Sequence, residues 1–71
     1  MTFSKRICQL KLERKLLQKD IAAAIGLSLR AYQCYEKGQK EPTLSVLIRL
    51  ADFFDVSLDY LVGRSDDPTR H

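Results

Sequence analysis

The sequence predicts a compact, all-α, five-helix bundle. Apolar residues recur at helical spacing, hydroxyl residues stand just before several apolar runs, and no stretch alternates in the manner of a half-buried strand. The three glycines and two prolines fall between the runs and not inside them. Seventy-one residues make one domain. A chain this short buries only about 60% of the surface its unfolded form exposes, so a partner subunit is a natural source of further stability.

The elements follow in order. The first helix is expected at about 3–14, with Phe3, Ile7 and Leu10 on one stripe, Leu12 beside it, and Thr2 or Ser4 as cap. A second, at about 18–25, carries Ile21, Ala22 and Ile25 on one face and stops at Gly26. Ser28 caps a third at about 28–37, whose inner face holds Ala31, Tyr32 and Tyr35 and whose end is marked by Gly38. After Pro42, Thr43 caps a fourth at about 43–54, with Leu44, Leu47, Ile48, Ala51 and Phe54 expected along its buried side. Ser57 caps a fifth at about 57–62, with Asp59 suited to the positive end of the helix dipole and Gly63 as terminator. Residues 1–63 thus form the domain, and Arg64 to His71 read as a frayed polar tail or linker.

Charge is unevenly divided. Residues 1–40 carry nine basic side chains against Glu13, Asp20 and Glu36; residues 41–71 carry three against six acidic ones. The basic half suits a polyanion. Catalysis is not expected, because Glu13, Asp20 and the Asp66–Asp67 pair come with no nucleophile, pocket or metal set. Two cysteines, Cys8 and Cys34, with one histidine at the last position cannot supply a zinc site, and no other cofactor is expected. The start of the chain is no secretory signal and no apolar run approaches 18 residues, so a cytoplasmic protein with reduced thiols and no membrane partner is expected.

Gln18 to Gly38 is the informative block. Two short helices meet at Gly26-Leu27-Ser28, where glycine permits a sharp turn and Leu27 plugs the corner. Ile21, Ile25, Tyr32 and Tyr35 pack the two helices at a steep angle, and Ala22 leaves them room. That is helix-turn-helix geometry, in which the second helix lies in the major groove of a duplex. Leu29, Arg30, Gln33, Cys34 and Lys37 are left on the outer face of this helix. Arg30 can pair with guanine O6 and N7, Gln33 with adenine N6 and N7, and Leu29 can meet a thymine methyl.

From Arg6 to Gly63 the chain resembles the Xre family of helix-turn-helix proteins, typified by the repressor and Cro proteins of lambdoid phages. The matching residues are Gln18, Ala22, Gly26, the Tyr32/Tyr35 pair, Glu36 and Gly38, then Pro42-Thr43-Leu44, Leu50-Ala51-Asp52 and Val56 to Leu61. The resemblance implies a lambda repressor-like fold and a regulator of transcription that binds double-stranded DNA as a homodimer. It implies base contacts from Arg30, Gln33 and Cys34 with Leu29 nearby, a phosphate contact from Gln18, and backbone contacts from Lys37, Gln39, Lys40 and Thr43. Lys19 joins the phosphate group, whereas half or more of Lys5, Arg6, Lys15 and Lys19 are expected to be a solvated face. The sequence departs from the family at Leu29, where relatives often carry a polar residue, and at Lys11, where many place an arginine paired with the residue at Glu36.

Phe53, Tyr60 and Val62 form a candidate apolar patch for a second subunit. Cys34 is read as a small side chain on the outer face, the alternative being a redox switch whose thiolate Arg30 and Lys37 would favour. A protein-binding adaptor, or an antitoxin using the same fold, is the alternative reading, suggested by Leu29 and Cys34 on the outer face.

Overall fold

In the computed structural model, which describes residues 2–69, side-chain oxygens start four of the five helices. The helices are α1 Phe3–Glu13, α2 Gln18–Ala24, α3 Leu29–Glu36, α4 Leu44–Phe54 and α5 Leu58–Leu61, with no strand among the described residues. Thr2, Ser28, Thr43 and Ser57 lie in extended backbone and accept hydrogen bonds from the N–H groups of Lys5, Ala31, Val46 and Tyr60. Each such cap contributes about 1 kcal/mol. α2 follows Leu17, which offers no side-chain oxygen. There Asp20 reaches back instead, and its carboxylate accepts from the Leu17 N–H at 3.1 Å. The same carboxylate sits where the helix dipole favours negative charge.

All five helices end alike. A left-handed residue follows the last turn (Lys15, Gly26, Gly38, Asp55 and Gly63) and the next N–H bonds back to the carbonyl five residues before it. These bonds run from Leu16 to Lys11, Leu27 to Ala22, Gln39 to Cys34, Val56 to Ala51 and Arg64 to Asp59, at 2.8–3.0 Å. This is the Schellman arrangement, and it satisfies carbonyls that a helix end leaves without partners. At three corners the following side chain also packs on the core: Leu16, Leu27 and Val56. Glycine punctuation reveals only three of the five corners. Lys15 and Asp55 adopt φ of 55° and 56° without it.

The core runs through every helix, with Ile7, Ile21, Tyr32, Leu50, Phe54 and Leu61 completely buried. α4 is rotated from the expected phase. Val46 and Leu50 join Ala51 and Phe54 inside, while Leu44 and Ile48 are exposed. Ser45, Arg49 and Asp52 form one narrow polar stripe, which turns Leu50 and Phe54 inward and leaves Leu44 and Ile48 flanking it.

The chain's end also differs from expectation. Residues 64–69 fold back onto the helices: the Ser57 N–H donates to Pro68 O at 3.0 Å, and Arg6 Nη2 donates to Ser65 O at 3.2 Å. Arg70 and His71 lie outside the described residues. Arg6, grouped in the sequence with the solvated basic residues, is only 3% exposed. Its guanidinium stacks 3.8 Å above the Tyr60 ring and also reaches Gln9 Oε1. Tyr60 is consequently buried, and the expectation that it contributes to an exposed apolar patch is wrong. Phe53 and Val62 are half-buried, and the Phe53 ring meets Phe54 edge-on at 5.1 Å.

These contacts rank two substitutions on Arg6 and its ion-pair partner. Arg6→Ala removes the stacking on Tyr60 and leaves the part-buried Ser65 carbonyl without its donor; it is expected to destabilise by about 2–3 kcal/mol. Asp66, 3.4 Å from Arg6 but fully exposed, is a surface partner, so Asp66→Asn leaves the urea midpoint unchanged. Urea unfolding of the two variants checks the ranking, and equal midpoints would contradict it.

Candidate nucleic-acid interface

α2 and α3 meet at the Gly26 corner, which two independent constraints hold. Gly26 has φ of +74°, where any side chain would be strained. From α4, Arg49 Nη1 donates to Ile25 O at 3.1 Å, so the last helical carbonyls of α2 are bonded from outside as well. Ala22 and Ile21 are buried beneath the corner, and Tyr32 and Tyr35 from α3 close on them.

The opposite side of α3 faces outward. Leu29, Arg30, Gln33, Cys34, Lys37 and Gln39 line one shallow surface concavity of about 520 Å³. Arg30, Lys37 and Gln39 are exposed, Leu29 is 43% exposed, and Gln33 and Cys34 are half-buried. Lys19, Lys40 and Thr43 are exposed as well, the Thr43 hydroxyl serving as the α4 cap. The two cysteines are free and half-buried.

Behind this face lies a polar cluster that the local sequence pattern does not reveal. The Glu36 carboxylate, its side chain 6% exposed, receives Lys11 Nζ at 2.9 Å and Gln18 Nε2 at 2.9 Å on the same oxygen, Oε1. The Cys8 thiol donates to that oxygen at 3.7 Å. The buried Tyr32 hydroxyl lies near the carboxylate, but neither it nor Glu36 Oε2 makes a hydrogen bond of good geometry. Gln18 Oε1 in turn accepts from Gln33 Nε2 at 3.0 Å. Gln18, expected at a phosphate, is therefore half-buried with both ends of its amide engaged by protein groups. Lys11 and Glu36 form the pair that the sequence allows, with a single ammonium in place of a guanidinium fork. Gln18, Lys11 and Cys8 lie 18 to 28 residues from Glu36 along the chain, beyond the reach of any helical periodicity.

Burial alone would raise the Glu36 pKa. The nearby Tyr32 hydroxyl and hydrogen bonds from Gln18 and Lys11, with the Lys11 charge, outweigh it and hold the carboxyl below its ordinary value. The Cys8 thiol is pushed up, first by burial and then by the negative charge of Glu36, which suppresses its thiolate. Tyr32 is raised as well, first by desolvation and then by its proximity to Glu36.

Comparison with known proteins identifies the fold and the family. The helix-turn-helix family model HTH_3 matches residues 9–61. The uncharacterized HTH-type transcriptional regulator YobD of Bacillus subtilis is 39% identical over 66 residues, covering 93% of this chain and 59% of the relative. The cryptic phage CTXphi transcriptional repressor RstR of Vibrio cholerae is 39% identical over 64 residues, covering 90% of this chain and 58% of the relative. The chain thus spans somewhat over half the length of these curated relatives. Among solved structures, the P22 c2 repressor in complex with synthetic operator 9T superposes with a TM-score of 0.84 at 25% identity, over 92% of this chain and 98% of that one.

A carboxyl whose folded pKa is lowered stabilises the fold above its unfolded pKa and loses that contribution as pH falls through the folded value. The stability gap between wild type and Glu36→Gln is therefore expected to be widest near neutral pH and to narrow below about pH 4.3. Urea midpoints measured across that range check this; a gap independent of pH would show that the Glu36 charge contributes nothing.

Proposed function

The chain belongs to the Xre-like helix-turn-helix family of transcriptional regulators, and from that premise we propose that it is a sequence-specific binder of double-stranded DNA, acting as a repressor. The observation that carries the reading is the outward side of α3, where Leu29, Arg30, Gln33 and Cys34 share one concavity with Lys37 and Gln39. An α-helix fits the major groove of B-DNA, and these side chains supply the donors and acceptors that base edges require. Arg30 reads guanine and Gln33 adenine, with Leu29 and Cys34 beside them. Lys19 and the Gln18 end of α2 approach phosphates on one side, and Lys37, Gln39, Lys40 and Thr43 do so beyond α3. Nothing in this chemistry calls for a cofactor, and its place of action is the cytoplasm.

A single module of this type buries only about 600–1,000 Å² on DNA, which limits its affinity. Two copies would place their α3 helices about 34 Å apart, one turn of B-DNA, and read a palindrome. A homodimer on such an operator excludes polymerase where operator and promoter overlap. Besides Leu29, the exposed large apolar residues are Leu12, Leu17, Leu44, Ile48 and Leu58, and since Tyr60 is buried we assign pairing to Leu44 and Ile48 on α4 with Leu58 on α5.

Arg30→Ala and Gln33→Ala are each expected to lose about 1–3 kcal/mol on an operator selected from a random duplex pool, and little on random duplex. Lys37→Ala and Lys40→Ala should weaken all sequences alike and reduce the slope of log affinity against log salt by about 0.9 each. Variants at 30 and 33 that bind the operator like wild type would overturn the assignment of the face. Analytical ultracentrifugation on operator DNA should show two copies bound, and Leu44→Ser with Ile48→Ser should reduce this to one.

A further inference from the structure

The concavity on α3 and the buried cluster behind it are linked by one chain of hydrogen bonds, and that chain has a direction. An ionised carboxylate only accepts hydrogen bonds, whereas a glutamine amide donates at one end and accepts at the other. Glu36 Oε1 therefore compels Gln18 to turn its Nε2 inward, at 2.9 Å. Gln18 is then left with its Oε1 toward α3, and Gln33 answers with its Nε2, at 3.0 Å. If the Gln33 amide were reversed, two carbonyl oxygens would face one another. Lys11 holds Glu36 Oε1 from α1 at 2.9 Å and keeps the first member of the series in place.

We propose that Glu36 is a positioning residue that acts through Gln18 to fix the direction of the Gln33 amide, and hence the base pair that Gln33 accepts. The inference rests on the reading of α3 as the base-contacting helix. One of the two Nε2 protons of Gln33 is engaged by Gln18. The other proton and Oε1 remain as an adjacent donor and acceptor on a half-exposed side chain. That pair complements adenine, whose N7 accepts and whose N6 amino group donates in the major groove. An amide free to flip would present the reverse order half of the time and would discriminate poorly. Neither Glu36 nor Gln18 needs to touch a base to set this preference. The preorganised side chain also surrenders less rotamer freedom on binding.

The test begins with an operator selected by wild-type protein. Gln33→Ala identifies the base pair that residue 33 reads, as the one position whose preference disappears. Binding of Glu36→Gln and Gln18→Ala is then measured on the operator and on its three substitutions at that base pair. Both variants are expected to lose discrimination there by about tenfold or more and to retain the preference under Arg30. Gln18→Ala leaves the Lys11–Glu36 pair intact, so it reports even if Glu36→Gln folds poorly; circular dichroism melts verify folding of each. Equal weakening at every position, as a merely structural defect would cause, overturns the relay. So does wild-type discrimination in both folded variants, or a Gln33→Ala protein with the full wild-type preference. If wild type enriches no sequence at all, the DNA-binding function fails and the relay falls with it.

Discussion

The buried Glu36 carboxylate is the constraint on which the arrangement of the first three helices depends. It is the last residue of α3, and it takes hydrogen bonds from α1 through Lys11 and Cys8, and from α2 through Gln18. Apolar packing by Ile7, Ile21 and Tyr32 would hold these helices together with little preference for one register. A charged group in the interior is intolerant of misplacement, because a lost partner leaves it desolvated and uncompensated. The carboxylate thus does for orientation what the apolar core does for cohesion, and it sits directly behind the surface assigned to DNA.

Around it, backbone chemistry does most of the remaining work. Four hydroxyl caps and five left-handed corners account for most of where helices start and stop, with no disulfide among the described residues. The Gly26 corner has an additional brace in Arg49, which ties α4 to the end of α2. Through it the angle between α2 and α3 is coupled to the second half of the chain. The acidic half, residues 41–71, therefore helps to hold the shape of the α2–α3 corner.

Much of this fold was legible in the sequence because its signals are local. Thr2, Ser28, Thr43 and Ser57 announce helix starts, and Gly26, Gly38 and Gly63 announce ends, through rules that span only a few residues. The inward phase of Tyr32 and Tyr35 follows from a helix with clear polar and apolar sides. In α4 the signal was present but narrow: the polar stripe of Ser45, Arg49 and Asp52 points Leu50 inward and Ile48 outward, which the run of apolar residues around it obscured. Tyr60 and Arg6 misled for a different reason. An arginine three residues from Phe3 reads as solvated until a ring 54 positions away is found beneath it. The glutamine chain from Glu36 to Gln33 had the same obscurity, since residue types alone do not tell which amides meet.

The left-handed corner at Lys15 has a consequence for how such a protein can change over time. A residue with a Cβ in that conformation carries a strain of about 1–2 kcal/mol relative to its relaxed backbone, while the three glycine corners carry none. Lys15 is absent from the concavity on α3, so relief of that strain would leave the recognition chemistry untouched. The fold thereby keeps a reserve of thermal tolerance at one exposed turn, from which it can absorb destabilising drift on the outer face of α3.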